Sequence, residues 1–172
     1  MPANIEIKAR VGDFETMKTA AAGLSGGSVE VIPQEDTFFF VPKGRLKLRS
    51  LAPDLGYLIY YERPDQEGPK RSDYTLAETR APHSLKTTLS NALGVRGVVK
   101  KTRYLYWVGQ TRVHLDAVDG LGNFMELEVV LREEQSDAEG RAVAEDLMRK
   151  LGVDPAELLE GAYIDLIEQS LF

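Results

Sequence analysis

Several short segments of the sequence alternate charged and apolar residues, and their charged positions carry groups that bind metal ions and phosphates. In the first such segment, Glu6 and Lys8 share one face and isoleucines occupy the other, because a strand has a period of two. In the last such segment, Glu126 and Glu128 are also two residues apart and must point the same way. Paired carboxylates suit hard divalent ions such as Mg²⁺ and Mn²⁺. These segments therefore supply candidate metal ligands.

Basic residues recur on one face of other alternating segments. They are Lys8, Arg45, Lys47, Arg49, Arg63, Lys101, Arg103 and Arg112. Arg binds phosphate oxygens through two parallel hydrogen bonds, and Lys adds a compact positive charge. If the apolar faces pack outward against helices, these cations would repel one another in an enclosed lumen unless an anion neutralised them. The pattern predicts a site for a polyphosphate bound together with a divalent ion.

Each feature also has a purely structural interpretation. A single Lys-x-Arg pair is usually a solvent-exposed strand face, and Glu126-x-Glu128 taken alone is too. His114 shares a face with Arg112 and Asp116 and is more simply a structural histidine than a general base. The functional interpretation depends on the recurrence of the pattern in many segments and on the segregation of cations and carboxylates between them.

Composition narrows the class of protein. The chain has 172 residues, 43% hydrophobic and 28% charged, which fits one globular domain. It has no cysteine, which excludes disulfides and thiolate sites and fits a cytoplasmic protein. The net charge of −6 argues against nucleic-acid binding, and no apolar run approaches the roughly 20 residues of a membrane span. We therefore expect neither nucleic acid nor membrane as a partner.

Periodicity and turn residues predict the elements that position these side chains. Predicted strands begin at residue 4 and then cover residues 29–41, with a break near Pro33, 45–51, 57–63, 74–79, 98–108, 111–118 and 124–131. Residues 64–72 are predicted as a polar loop. Predicted helices cover residues 14–24, 82–93 and 137–151, and a last helix is predicted to start at Asp154 and Pro155.

These elements predict an α+β fold. About eight strands with inserted helices favour a closed eight-stranded antiparallel β-barrel with a charged lumen and flanking helices, since closure removes exposed strand edges. We expect a single domain over residues 1–172, with barrel strands at about 3–132 and helical cover at about 136–170. The C-terminal helices could equally form a homodimer interface.

Together the segments resemble the CYTH superfamily, also called triphosphate tunnel metalloenzymes, which includes class IV adenylyl cyclases and thiamine triphosphatases. The family hallmark is an amino-terminal Glu-x-Glu-x-Lys strand, which here reads Asn4-Ile5-Glu6-Ile7-Lys8. Further matching segments follow in order: 34–39, 44–49, 61–65, 99–103 and 114–128. Each motif is weak alone, but the ordered combination is specific.

The resemblance implies a tunnel that binds a small-molecule triphosphate with Mg²⁺ or Mn²⁺. By position, the triphosphate-binding residues would be Lys8, Lys47, Arg49, Arg63, Lys101, Arg103 and Arg112. The metal ligands would be Glu6, Glu126 and Glu128, with Asp116 as a further candidate, and the catalytic residues Glu6, Lys8, Glu126 and Glu128. Asn4 replaces the first hallmark glutamate and is a poorer ligand. One metal would be bound less tightly, or a second metal site weakened.

The resemblance leaves the reaction open. In a cyclase the ribose 3′-hydroxyl of ATP attacks the α-phosphorus, which gives cyclic AMP and pyrophosphate. In a triphosphatase, water attacks the terminal phosphorus of inorganic triphosphate or thiamine triphosphate. The segments at 34–38 and 44–49 are closer to the cyclase branch, whereas no segment is typical of a nucleotide-base pocket. A third alternative is a polyphosphate-binding module without turnover, which Asn4 favours and the retained glutamates oppose.

Overall fold

The alternating segments form the wall of a barrel in the computed structural model, which describes residues 2–170, with side chains up to residue 167. Within that range the strands are β1 (Ala3–Arg10), β2 (Glu30–Phe39), β3 (Arg45–Ala52), β4 (Leu55–Glu62), β5 (Lys70–Thr79), β6 (Val95–Val108), β7 (Thr111–Val118) and β8 (Gly122–Val130). All neighbours pair antiparallel and close in the order β1-β5-β4-β3-β2-β6-β7-β8. The predicted α+β fold with a closed eight-stranded barrel is confirmed.

Within residues 2–170, helices pack on the outer faces of the strands: α1 (Phe14–Ser25), α2 (Pro82–Leu93) and α3 (Asp137–Leu151). The last helix, α4 (Tyr163–Ser170), contacts β6. Ala21 of α1 and Leu147 of α3 are buried in one cluster with Ile7 of β1 and Leu127 of β8. Because neighbouring strand residues alternate between faces, this packing turns Glu6, Lys8 and the other charged positions inward. No helix within residues 2–170 is long and apolar enough to cross a membrane.

Two strand predictions were wrong in detail. The predicted loop at 64–72 overlaps β5, which begins at Lys70 and pairs with β1 through Glu6. Polarity suggested a loop there, but in this barrel polar residues face the lumen. The predicted break at Pro33 is also absent from the described strand β2, where Pro33 pairs with Thr102 of β6. The β3 ladder reaches only as far as Glu35, so Pro33 interrupts no bond on that side.

The last helix begins later than predicted. Asp154 caps only a short 3₁₀ turn, Pro155–Glu157, and α4 starts at Tyr163. Between them the chain makes tertiary backbone bonds that a helix would not allow: Leu158 bridges Ala9, and the Leu159 amide donates to the Lys8 carbonyl at 2.8 Å. We call residues 158–167 the C-terminal segment.

The C-terminal segment covers one end of the barrel. The fully buried Lys70 ammonium donates to the carbonyls of Leu159 and Glu160. Further along, Ile164 packs closely against Gly97 of β6. A Cβ atom at position 97 would lie only 2.3 Å from the Ile164 Cδ1 atom. We call this end of the lumen the closed end and the opposite end the open end.

Candidate functional site

The charged strand faces line a cavity of about 250 Å³ inside the barrel. The structure brings ten of the eleven predicted site residues together in its lining: Glu6, Lys8, Lys47, Arg49, Arg63, Lys101, Arg103, Arg112, Glu126 and Glu128. Asp116 is fully buried behind this lining. Arg45, which shares the alternating pattern, instead bonds Asp165 of α4 at 2.7 Å and so helps to hold the C-terminal segment.

Tyr163 forms the floor of the cavity at the closed end. Its hydroxyl donates to Asp116 Oδ2 at 2.9 Å, and its ring packs against Phe124. The Lys8 and Lys101 ammonium groups lie 3.8 and 4.8 Å from the ring centroid. The closed end therefore carries an aromatic floor flanked by two cations.

Asp116 orients an arginine. Arg103 donates to both carboxylate oxygens, from Nε at 2.9 Å and from a terminal nitrogen at 2.8 Å. Burial alone would raise the pKa of Asp116, but Arg103 and Lys101 hold it well below its usual value. With Tyr163 also bonded, both oxygens are engaged in protein contacts. The structure thus places this candidate metal ligand as the partner of Arg103 and Tyr163.

Asp36 orients Arg49 in the same way, and the sequence patterns did not single out this aspartate. Arg49 donates to both Asp36 oxygens at 2.8 Å. The Lys47 and Lys101 ammonium groups lie 3.5 and 3.6 Å from Asp36 Oδ2. The β2–β3 register, which sets Asp36 opposite Arg49, was the signal that could have found it. Two buried aspartates therefore fix the directions of two guanidinium groups in the lumen.

The remaining acidic side chains form a candidate metal centre. Ligand atoms of His114, Glu126 and Glu128 all lie within 4.8 Å of one another. Glu6 lies opposite Glu128 in the β1–β8 register, and its Oε2 accepts a hydrogen bond from Arg63 at 3.2 Å. Burial, together with the charges of Glu128 and Glu126, raises the pKa of Glu6 to about 7. Such crowding of carboxylates is what a bound cation relieves.

His114 is part of this candidate centre. It is buried, and its Nδ1 has no hydrogen-bond partner among the described residues. Burial and the nearby Arg103 lower its pKa to about 4, so the imidazole is neutral at neutral pH. A neutral imidazole nitrogen is a metal ligand. The orphaned nitrogen and the two carboxylates fit a divalent ion.

The basic side chains are crowded in the same way. Burial and then the Arg103 charge lower the pKa of Lys101 to about 7, and burial lowers that of Lys8 to about 8. The Nε of Arg63 is buried without a hydrogen-bond partner in the described part of the chain. An anion in the lumen would favour the charged lysines and offer Arg63 an acceptor.

Asn4, at the altered hallmark position, contacts the cavity through Arg112. Arg112 Nε donates to Glu128 at 2.9 Å. With its amide oriented to satisfy both ends, Asn4 accepts from Arg112 at 3.2 Å through its oxygen and donates to the Ala3 carbonyl at 3.3 Å. Asn4 thus adds a neutral oxygen next to the metal centre rather than a charge.

A closed barrel with carboxylates, a histidine and oriented cations in one lumen defines a polyanion- and metal-binding tunnel protein. The chain belongs to the CYTH domain family, whose sequence profile matches residues 2–163.

Individual proteins with similar sequences or structures are consistent with this family. The chain is 29% identical to adenylate cyclase CyaB of Aeromonas hydrophila, over 97% of this chain and 90% of that protein. Among solved structures, the PH1012 protein of Pyrococcus horikoshii OT3 superimposes with a TM-score of 0.84 and 28% identity, covering 95% of this chain and 98% of its own. A conserved hypothetical protein of Pyrococcus furiosus shares the fold, with a TM-score of 0.82 at 19% identity and coverage of 95% and 99%.

Proposed function

We propose that this protein is a divalent-metal-dependent enzyme that converts ATP to cyclic AMP and pyrophosphate in the barrel lumen. The observation that carries the proposal is the position of the His114, Glu126 and Glu128 cluster beside a wall of buried cations. The Aeromonas hydrophila relative named adenylate cyclase CyaB aligns with 97% of this chain, which supports this choice of reaction.

The triphosphate would bind with its terminal phosphate at the closed end. Lys8 and Lys101 flank Tyr163 there, and the phosphate charge would compensate their mutual repulsion. Arg49 and Arg103 are held by aspartates in fixed directions, which is how a site positions phosphate oxygens before the reaction. The phosphate chain would then extend toward the open end.

His114, Glu126 and Glu128 would hold Mg²⁺ or Mn²⁺, as the chemistry of these ligands allows. When bound, the ion would neutralise charge that develops on phosphate oxygens. Glu6 adds its charge beside this cluster. Glu6 lines the same cavity and, as a carboxylate, could accept the proton of the attacking ribose hydroxyl.

Hydrolysis of the terminal phosphate is the second candidate reaction. The concentration of cations at the closed end favours it, because those groups surround the place where the terminal phosphorus would lie. Either reaction would use a small intracellular triphosphate, and the absence of cysteine supports a cytoplasmic enzyme.

Product analysis by chromatography tests the proposal. The protein would be incubated with ATP, inorganic triphosphate or thiamine triphosphate, each with Mg²⁺ and with Mn²⁺. Cyclic AMP and pyrophosphate from ATP are expected, and both should disappear in Glu126→Gln but not in the exposed α3 control Glu145→Gln. Orthophosphate without cyclic nucleotide would establish the second candidate. No product from any substrate would refute both reactions.

A further inference from the structure

One buried cation of the barrel lies outside the lining of the cavity. Lys70, the first residue of β5, is fully buried and is not among the side chains that line the lumen. Burial lowers its pKa to about 8, so the group is still an ammonium at neutral pH. Burying an ammonium is costly unless hydrogen bonds replace the water that it loses. The compensation must come from the hydrogen bonds of Lys70.

The Lys70 ammonium links two parts of the chain that are 90 residues apart in the sequence. We call residues 63–69, between β4 and β5, the β4–β5 loop. Lys70 donates to the carbonyl of Gln66 in this loop at 2.8 Å, and to the carbonyls of Leu159 and Glu160 in the C-terminal segment. An ammonium has three N–H donors, so these bonds use all of them. If either side moved away, a buried donor would be left unpaired.

A second cation makes a parallel link between the same two parts. Arg45 donates to Asp65 of the β4–β5 loop at 3.2 Å and to Asp165 of the C-terminal segment at 2.7 Å. Asp165 also accepts from the backbone amide of Ala162 at 2.8 Å. Two cations thus join one loop to one segment, and we call Lys70 and Arg45 the latch.

The latch holds the chain on both sides of the cavity floor. The Glu160 carbonyl that Lys70 binds lies three residues before Tyr163. Arg45 bonds Asp165, two residues after Tyr163. The Tyr163 ring contacts two lumen ammonium groups, and its hydroxyl donates to the aspartate that orients a lumen arginine. Any shift of the C-terminal segment would therefore move the floor relative to these cations.

We propose that Lys70 and Arg45 are positioning residues for the reaction: by holding the C-terminal segment they fix Tyr163, and through Tyr163 the cations that bind the terminal phosphate. This inference rests on the proposed function, which places the terminal phosphate at the closed end. The Lys70 ammonium bonds backbone carbonyls rather than groups of the substrate, so its effect on binding must pass through the segment. If the latch served stability alone, binding of a triphosphate would not depend on it.

Hydrogen exchange and equilibrium binding test the two steps separately. Lys70→Met keeps a side chain of similar length but removes the donors, so the backbone amides of residues 158–167 should exchange faster, as measured by mass spectrometry. The Kd of inorganic triphosphate, measured calorimetrically with a chelator present, should rise by about tenfold. The control is Lys150→Met, at an exposed lysine of α3, which should change neither quantity.

Three further variants and measurements separate positioning from a general loss of stability. Mn²⁺ binding should not be weakened in Lys70→Met, because the metal cluster lies on β7 and β8 rather than on the latched segment. In the Tyr163→Leu background, Lys70→Met should have little further effect on the Kd of triphosphate, because the floor that the latch holds is already lost. Asp165→Asn loosens the other arm of the latch at a partly exposed site and should also raise this Kd, whether or not Lys70→Met folds.

An unchanged Kd of triphosphate in Asp165→Asn and in folded Lys70→Met would assign the latch to stability alone and overturn the inference. An equal effect of Lys70→Met with and without Tyr163→Leu would overturn it too, since the effect would not pass through the floor. Unchanged hydrogen exchange of residues 158–167, or Mn²⁺ binding weakened as much as triphosphate binding, would also contradict it.

Lys101→Ala distinguishes these results from failure of the proposed function. If Lys101→Ala weakens triphosphate binding and the latch variants do not, the triphosphate site stands and the latch proposal falls. If the unaltered protein binds no triphosphate, both are refuted.

Discussion

Replacement of Glu6 by Gln should stabilise the metal-free protein. Glu6 is buried beside Glu126 and Glu128, and its pKa is raised from 4.5 to about 7. Gln keeps the shape of the side chain and an oxygen that can accept from Arg63, but it removes the charge. The substitution therefore removes a destabilising carboxylate from a site where only a bound cation would compensate it.

The size and pH dependence of the effect follow from linkage. Below pH 4.5 the carboxyl is protonated in both folded and unfolded chains, so it costs no stability. Between pH 4.5 and about 7 the carboxyl is ionised in the unfolded chain but still protonated in the folded protein, and the folded protein loses about 3 kcal/mol of stability across this range, since one pKa unit is about 1.4 kcal/mol. Glu6→Gln should remove this loss, which raises the Tm by about 6–12 °C at about pH 8 and hardly at about pH 4.

Thermal unfolding in the presence of a chelator measures the effect, with Glu126→Gln as the matched comparison. Burial would raise the pKa of Glu126, but Lys8 and Arg103 hold it well below normal, so its removal leaves cations unpaired and should lower the Tm. Mn²⁺ should narrow the gap between Glu6→Gln and the unaltered protein, because the ion favours ionised Glu6. A Glu6→Gln protein no more stable than the unaltered chain at about pH 8 would show that ionised Glu6 does not destabilise the folded protein.

Other substitutions in the lumen have different expected outcomes. Asp116→Asn breaks the buried pair with Arg103 and should cost about 3–5 kcal/mol in the free energy of unfolding; an unchanged urea midpoint would contradict this. His114→Gln should weaken Mn²⁺ binding in calorimetry, because it removes a neutral imidazole nitrogen from the cluster; an unchanged Kd would exclude a ligand role. Asn4→Glu should tighten Mn²⁺ binding by adding negative charge beside Arg112, and an unchanged Kd would show that position 4 does not affect the ion.

Most of the barrel wall was predictable because strand side chains alternate with a fixed period. Glu126 and Glu128 had to share one face of their strand. Because helices cover the apolar residues on the other face, the two glutamates must point into the lumen. The same logic placed Lys101 and Arg103 correctly in the lining. Local pattern was sufficient wherever a residue's direction was set by its own strand.

Residues whose roles depend on distant contacts were not predictable. Tyr163 is 47 residues from Asp116, and only the backbone bonds of the C-terminal segment bring them together. Lys70 lay in a polar stretch that resembled a loop.

Electron paramagnetic resonance of bound Mn²⁺ can show whether Glu126 and His114 hold the ion in the lumen. We expect a tight site in the unaltered protein that is lost in Glu126→Gln, weakened in His114→Gln and unaffected in the surface control Glu145→Gln. Adding ATP should change the Mn²⁺ spectrum, because phosphate oxygens would join the same ion. Equal Mn²⁺ binding in all four proteins would show that neither Glu126 nor His114 holds the ion.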